Sequence, residues 1–147
     1  MSKEDKKKLD LANCLCASIR RSSRSISQIY NQHLRNSGED INANQISILV
    51  TISQIKKGTI TQISNKLKME RTTLTRNLNI LENAGWLKTS SGEDGRVKYL
   101  FITEKGESVL IKIYPHWLLA HLQVINTLGD ELDAFRKNLS KINSLTH

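Results

Sequence analysis

Apolar residues recur at three- and four-residue intervals along most of the chain, and this pattern predicts a mainly helical protein. In the first helix the repeat runs from Leu11 to His33 through residues that are mostly apolar or small. After Gly129 the apolar residues keep the spacing of a heptad seam, which predicts a final helix. The other predicted helices cover residues 9–35, 42–56, 61–68, 71–84 and 104–128.

Polar residues ahead of these segments predict where the helices begin, because short polar side chains satisfy free backbone N–H groups. Asn42 or Asn44 is expected to cap the second helix, and Thr61 the third. Thr103 is expected to cap the fifth helix. Gly85 supplies the left-handed backbone that commonly closes a helix, so the fourth helix should end just before it.

The period of the pattern changes after the fourth helix. Residues 86–89 predict a strand, residues 90–95 are dense in turn formers, and residues 96–102 alternate and are rich in β-branched and aromatic side chains. Together they predict a β-hairpin. The expected fold class is therefore mainly α with a small β-hairpin (α+β).

The helices at the two ends of the chain carry more apolar surface than a small central domain can cover. This surplus predicts a homodimer formed through the N- and C-terminal helices, and a monomeric helical bundle is the alternative. The predicted division is a tail and dimerisation helix over residues 1–41, a central lobe over 42–106, and dimerisation helices over 107–147.

The net charge changes this picture because it is concentrated in one block. The 147-residue chain has a formal charge of +8, and residues 56–105 hold ten basic residues against five acidic ones. A localised basic surface predicts a polyanionic partner, nucleic acid first. A solvated basic face without a partner is the alternative.

Other classes of protein are disfavoured by the sequence. No apolar run approaches the roughly 20 residues that span a bilayer, and the charged start MSKEDKKK is unlike a secretion signal. We therefore expect a cytoplasmic protein without a membrane partner. Since no nucleophile–base pair, phosphate loop or paired-carboxylate motif is visible, we expect no enzymatic activity and no cofactor.

Residues 71–85, RTTLTRNLNILENAG, predict a helix with one chemically unusual face. Leu74, Leu78 and Leu81 fall within about 60° of one another on a helical wheel and form the buried stripe. Threonine costs helix propensity, but it contacts phosphate or a thymine methyl group, whereas arginine reads guanine and asparagine reads adenine. The side chains expected to touch DNA from this helix are Arg71, Thr72, Thr73, Thr75, Arg76 and Asn79.

The short helix and tight turn before residue 71 favour a helix-turn-helix. In such proteins the second helix enters the major groove by its N-terminal end, where free backbone N–H groups meet phosphate. A polar surface helix of weak propensity is the alternative interpretation.

The tip of the predicted hairpin offers a second contact with DNA. Arg96 and Lys98 lie just past the tip, on the same side of the strand. An arginine at the end of a protruding hairpin suits insertion into a narrow minor groove. Asp94 is expected to hold the Arg96 guanidinium by a charge-assisted bond, and a surface salt bridge of little energy is the alternative.

Five segments together resemble the MarR family of winged helix-turn-helix regulators. They are residues 60–67, 71–76, 81–87, 94–96 and 100–106. The resemblance implies a homodimer bound to a pseudo-palindromic operator in double-stranded DNA, with residues 42–106 as the DNA-binding lobe. Each recognition helix would enter a major groove and each wing an adjacent minor groove.

The resemblance also implies regulation. Members of the family mostly repress transcription, and many release DNA when a small, often aromatic acid binds between the dimerisation helices and the DNA-binding lobe. Others respond to cysteine oxidation or to a metal. A winged-helix dimer that acts mainly through protein partners is the alternative function.

Cys14 and Cys16 are the candidate redox residues. Two positions apart on a helix, their side chains would diverge by about 200°, so a disulfide between them would require the helix to unwind. Buried packing, redox sensing and a metal ligand all remain open for these thiols. No histidine or cysteine spacing is typical of zinc, so no metal site is predicted.

Tyr30, His33 and Trp117 are candidate ligand-pocket residues. They have polar tips and lie on the helices that line the family's pocket, where they would grip a phenolic carboxylate. The alternative is that these residues belong to the core or to an interface.

Overall fold

The protein is described by a computed structural model that covers residue 5 and residues 11–146. The helices are α1 (Leu15–Arg35), α2 (Ala43–Ile55), α3 (Ile60–Leu67), α4 (Arg71–Asn83), α5 (Glu104–Leu128) and α6 (Leu132–Asn143). The strands are β1 (Gly58–Thr59), β2 (Leu87–Ser91) and β3 (Lys98–Ile102), and a 3₁₀ turn at Gly129–Glu131 leads into α6. The mainly helical fold with a small β-hairpin is confirmed.

Side-chain caps begin three of the helices. Asn42, and not Asn44, caps α2 in a capping box with Gln45. Thr103 caps α5, as the sequence predicts, because its side chain accepts a hydrogen bond from the Gly106 N–H at 3.1 Å. Gly85 has a φ of 76° and directly follows Ala84, the C-cap of α4, which confirms its closing role.

Two predicted helix starts are wrong. The cap of α3 is Thr59, whose side chain accepts from the Gln62 N–H in a capping box, and Thr61 lies inside the helix. The first helix begins at Leu15 because residues 11–13 form bends and Cys14 has extended backbone. Residues 9 and 10 of the predicted helix lie outside the described residues.

The three strands form one antiparallel sheet in the order β1-β3-β2. Leu87 pairs with Ile102 and Ser91 with Lys98, so the hairpin extends further than the sequence predicts at the end of its first strand. Gly58 pairs with Leu100 on the other edge of β3. The sheet therefore ties the end of α2 to the hairpin.

The core lies between α2, α3, α4 and the inner face of this sheet. Leu34 of α1 and Ile113 of α5 extend the same core to the long helices. The largest fully buried side chains are Leu34, Ile48, Leu49, Ile52, Ile63, Leu74, Leu81, Leu87, Leu100 and Ile113. One continuous core thus joins the helix-turn-helix to α1 and α5.

Apolar side chains on the terminal helices remain in solvent. Leu15 of α1 is 64% exposed and Ile111 of α5 is 75% exposed. No residue of α6 is buried. Within the described part of the chain, no helix is long and apolar enough to cross a membrane.

The start of α5 is fastened to the end of α4. The Thr103 hydroxyl donates to the Gly85 carbonyl oxygen at 2.6 Å, and the Lys105 ammonium donates to the Ala84 carbonyl oxygen at 2.8 Å. A Cβ atom on Gly106 would lie 2.1 Å from the Trp86 carbonyl oxygen. The close approach of α5 therefore requires glycine at this position.

Gly106→Ala should lower the free energy of unfolding by about 1–3 kcal/mol, because the backbone around Trp86 must move to admit a methyl group. Urea unfolding followed by circular dichroism measures the change. Ser108→Ala, at an exposed position on the same helix, is the control and should change stability by less than about 0.5 kcal/mol. Equal stabilities for the two variants would contradict the close approach.

Candidate nucleic-acid interface

The turn between α3 and α4 is held by hydrogen bonds within the turn and by a contact with Thr146. Lys68 has left-handed backbone with a φ of 51°. The Ser64 hydroxyl donates to the Met69 carbonyl oxygen at 2.8 Å, and the Met69 N–H donates to the Ser64 carbonyl oxygen at 3.1 Å. The Lys68 ammonium donates to the Thr146 carbonyl oxygen, so Thr146 lies against the turn. These bonds fix where α4 begins.

Helix α4 has one buried and one exposed face, as the sequence predicts. Leu74 and Leu81 are fully buried and Leu78 nearly so. The Asn77 side chain turns back and donates to the Thr73 carbonyl oxygen at 2.9 Å. The residues proposed to touch DNA are all exposed: Arg71, Thr72, Thr73, Thr75, Arg76 and Asn79.

The N-terminus of α4 has no side-chain cap. Glu70 occupies the cap position and makes no cap hydrogen bond. The free N–H groups of the first turn and the positive end of the helix dipole therefore face solvent beside Arg71. Such an end is suited to bind a phosphate oxygen.

The wing ends in a compact turn. The Gly92 N–H donates to the Val97 carbonyl oxygen at 2.7 Å, and Gly95 has a φ of 70°. The Asp94 carboxylate accepts from the backbone N–H of Arg96 at 3.1 Å. Among the described residues the ion pairs are Lys112–Glu39 and Arg136–Asp133. The expected bond between Asp94 and the Arg96 guanidinium is therefore wrong, because the carboxylate accepts from the turn backbone and the guanidinium has no ion-pair partner among the described residues.

One cleft brings the helix and the wing together. It has a volume of about 400 Å³ and lies between the start of α3, the start of α4 and the part of the wing just past its tip. Arg71, Arg96 and Lys98 line it together with Thr61. Three cationic side chains from two distant parts of the sequence thus face one space, which favours an anionic occupant.

Lys57 is a residue of this region that the sequence analysis missed. Its ammonium lies 4.4 Å from the centroid of the Tyr99 ring on the outer face of the sheet. This cation–π contact joins the end of α2 to the wing. Only the pairing of β1 with β3 brings the two residues together, and the two-residue strand β1 leaves no pattern in the sequence.

Two further cavities lie between the lobe and the long helices. The first, here called the apolar chamber, has about 390 Å³ and is lined by Ile46, Val50, Leu110, Ile113 and Tyr114. The second, here called the polar chamber, has about 310 Å³ and is lined by Ile26, Ser27, Tyr30, Ala43 and Asn44. Ser47 and Trp117 line both.

Of the three predicted pocket residues, Tyr30 and Trp117 line these chambers and His33 does not. The Tyr30 hydroxyl lies 3.1 Å from His121 Nδ1, and the Trp117 and His121 rings stack with centroids 4.8 Å apart. Burial raises the pKa of Tyr30, so its hydroxyl stays protonated at neutral pH. His33 Nε2 instead lies 2.9 Å from Gln123 Oε1.

The two cysteines lie at the start of α1, and both are free thiols. Cys14 is half-buried at the N-cap position and Cys16 is exposed in the first turn. The expectation that both sit within one helix is therefore wrong. No group of three or more metal-binding side chains occurs among the residues that the structure describes.

Comparisons with known proteins agree with this architecture. The model of the MarR family matches residues 41–98. The chain is 29% identical over 113 residues to the uncharacterized HTH-type transcriptional regulator YwoH of Bacillus subtilis. The aligned residues make up 77% of this chain and 81% of that protein.

Solved structures extend the likeness over nearly the whole chain. The M. tuberculosis transcriptional regulator MosR in complex with DNA is 32% identical and superposes with a TM-score of 0.81, over 90% of this chain and 96% of that one. A mutant MarR from E. coli complexed with operator DNA is 21% identical and shares the fold, with a TM-score of 0.74 over 86% of this chain and 91% of that one. The protein therefore belongs to the MarR family of transcriptional regulators, which have the winged helix-turn-helix fold.

Proposed function

We propose that the protein is a sequence-specific repressor that binds a pseudo-palindromic operator in double-stranded DNA as a homodimer. The observation that carries this proposal is the cleft in which Arg71 of the recognition helix meets Arg96 and Lys98 of the wing. A polar helix face and a cationic wing that flank one space match a duplex, in which bases lie between two rows of phosphates.

The recognition helix supplies base contacts and the wing supplies an anchor. Arg76 and Asn79 have the side chains that pair with guanine and adenine in the major groove, and both are exposed on α4. The guanidinium of Arg96 has no protein partner among the described residues, so it needs to break no ion pair to enter a minor groove.

Dimerisation is supported by the apolar side chains that the terminal helices leave in solvent. Leu15, Ile111, Leu119 and Phe135 are exposed on α1, α5 and α6. A second copy that covers these side chains would also set the distance between two recognition helices. A two-fold symmetric protein then requires two similar half-sites.

Release from DNA is proposed to follow a chemical signal. The first candidate is a small molecule, which the two chambers beside Trp117 can receive. The second is oxidation of Cys16, whose thiol is exposed in the first turn of a long helix. Either event acts on the helices that carry the recognition lobes.

Arg96→Ala should weaken operator binding by about tenfold or more, since one arginine contact in a groove is worth about 1–3 kcal/mol. The slope of log Kd against log salt should also fall by about one. Fluorescence anisotropy with labelled operator fragments measures both. Arg136→Ala, which removes the same side chain from exposed α6, is the control and should bind as the unchanged protein does. Unaltered affinity in Arg96→Ala would contradict a role of the wing in DNA binding.

Arg76→Ala should relax the base preference at one position in each half-site, because the lost side chain reads one base edge. Competition among operator fragments with single substitutions measures the preference. A uniform loss of affinity for every fragment would instead make Arg76 a phosphate contact. Arg136→Ala, which removes the same side chain from exposed α6, is the control and should keep the base preference at every position.

A further inference from the structure

The wing borders open space on two sides. Leu100 of β3 is buried against the core, whereas Tyr99 and Phe101 line a groove of about 530 Å³ on the outer face of the sheet. The cleft that Arg96 lines, of about 400 Å³, lies between the wing and the helices α3 and α4. Val97 borders both spaces. The cationic end of the wing therefore has few neighbours that fix its direction.

Strand β1 supports the wing along a short stretch of β3. Gly58 pairs with Leu100 and Thr59 with Tyr99, and β1 ends at that point. From Tyr99 towards the tip, β3 keeps β2 as its neighbour, and the described strands leave its other edge unpaired. A two-stranded hairpin on its own is only marginally stable in water. The direction of Arg96 therefore depends on what holds Tyr99.

The Lys57 side chain reaches Tyr99 across the outer groove. Its ammonium lies 4.4 Å from the centroid of the ring, and a cation at this distance is attracted by the negative face of the ring. Glu93 and Asp94 line the same groove, but among the residues that the structure describes neither forms an ion pair with Lys57. The ring is thus the partner that the structure gives this ammonium. We call the contact between Lys57 and Tyr99 the brace.

The backbone before β1 places Lys57 on the correct side for this contact. Lys56 has a φ of 63° and a ψ of −38°, and the Lys57 N–H donates to the Ile55 carbonyl oxygen at 2.7 Å. This geometry is close to a classic γ-turn, which is strained for an L-residue and persists where the surrounding structure fixes it. Gly58 then faces inward onto Ile55. Because side chains alternate along a strand, Lys57 faces outward beside Tyr99.

We propose that Lys57 is a positioning residue for DNA binding, which acts through the Tyr99 ring and does not touch DNA itself. Arg96 lies three residues before Tyr99, so the brace holds its guanidinium in the direction from which it meets a minor groove. Without the brace the wing stays folded but swings about the end of β1. This inference rests on the proposed function, in which Arg96 is the contact that the brace orients.

Operator affinity measures the brace. Lys57→Gln and Tyr99→Leu should each weaken binding by about two- to fivefold, which matches an exposed cation–π contact. The double variant should bind no more weakly than the weaker single variant, because both changes remove one interaction. Fluorescence anisotropy with a labelled operator fragment selected from genomic DNA measures the affinities.

Two control variants separate the ring and its cation from other properties of these residues. Tyr99→Phe keeps the ring and loses the hydroxyl, and Lys56→Gln removes the same charge one residue earlier on the exposed surface. Both should bind as the unchanged protein does. Additive losses in the double variant, or equal losses in Lys56→Gln and Lys57→Gln, would overturn the inference.

A second background distinguishes positioning from a direct phosphate contact. In Arg96→Ala protein, the added change Lys57→Gln should weaken binding by less than about twofold, because the arginine that the brace orients is gone. A lysine that bound phosphate would give the same loss with or without Arg96, and its removal would lower the slope of log Kd against log salt by about one. Either of these two results would overturn the inference.

Nuclear magnetic resonance without DNA separates the inference from the proposed function. The ε-methylene protons of Lys57 should be shifted upfield by the Tyr99 ring, and Tyr99→Leu should abolish this shift. Backbone relaxation at Arg96 and Lys98 should show larger motion in Lys57→Gln and not in Lys56→Gln. If these effects appear but the unchanged protein binds no operator, the proposed function fails and the brace stands. If the operator is bound and Lys57→Gln binds it equally well, the inference fails and the proposed function stands.

Discussion

The burial of three leucines on one side of α4 fixes the direction in which its other side faces. Leu74, Leu78 and Leu81 pack into the core that α2, α3 and the sheet share. At about 25 cal/mol per Å² of buried apolar surface, each such side chain stabilises the packed orientation by roughly 1.5–3 kcal/mol. Rotation of α4 about its axis would expose this stripe, so the threonines and arginines opposite it are held outward. The polar face is thus a consequence of packing.

Helix α5 links this helix to the rest of the molecule. At its start, Thr103 and Lys105 hydrogen-bond the backbone at the end of α4. Two to four turns later, Ile113 and Trp117 line the chambers. Under the proposed release by a small molecule, a shift in the middle of α5 would be carried to the end of α4 through these hydrogen bonds.

The sequence predicted those parts of the fold that depend on periodicity. The leucine stripe of α4 and the alternation in β3 appear in the structure as predicted, because in each element one face packs against the core. The sequence predicts Thr61 as the cap of α3, whereas Thr59 is the cap in the structure, because either hydroxyl can accept a hydrogen bond from a free backbone N–H. The choice between them depends on β1, whose two residues pair with β3 only in the folded protein.

In the candidate site, too, the features that depend on periodicity are predicted from the sequence and those that depend on the folded backbone are not. The helical wheel predicts that the recognition face is exposed, whereas the partner of the Asp94 carboxylate depends on the backbone of the turn that joins β2 to β3. His33 has the chemistry of a ligand contact, but its position on α1 directs it to Gln123. The set of side chains that meet in the two chambers also depends on the fold, because α2 and α5 line the apolar chamber and α1, α2 and α5 line the polar one.

Footprinting of the bound operator tests the central claim most directly. The claim is that two outward polar helix faces, one from each protomer, enter successive major grooves on one side of a duplex. Hydroxyl-radical footprinting on fragments selected from genomic DNA should show two symmetric protected patches about one helical turn apart, each extended into the neighbouring minor groove by the wing. A single patch, or protection without two-fold symmetry, would contradict the account.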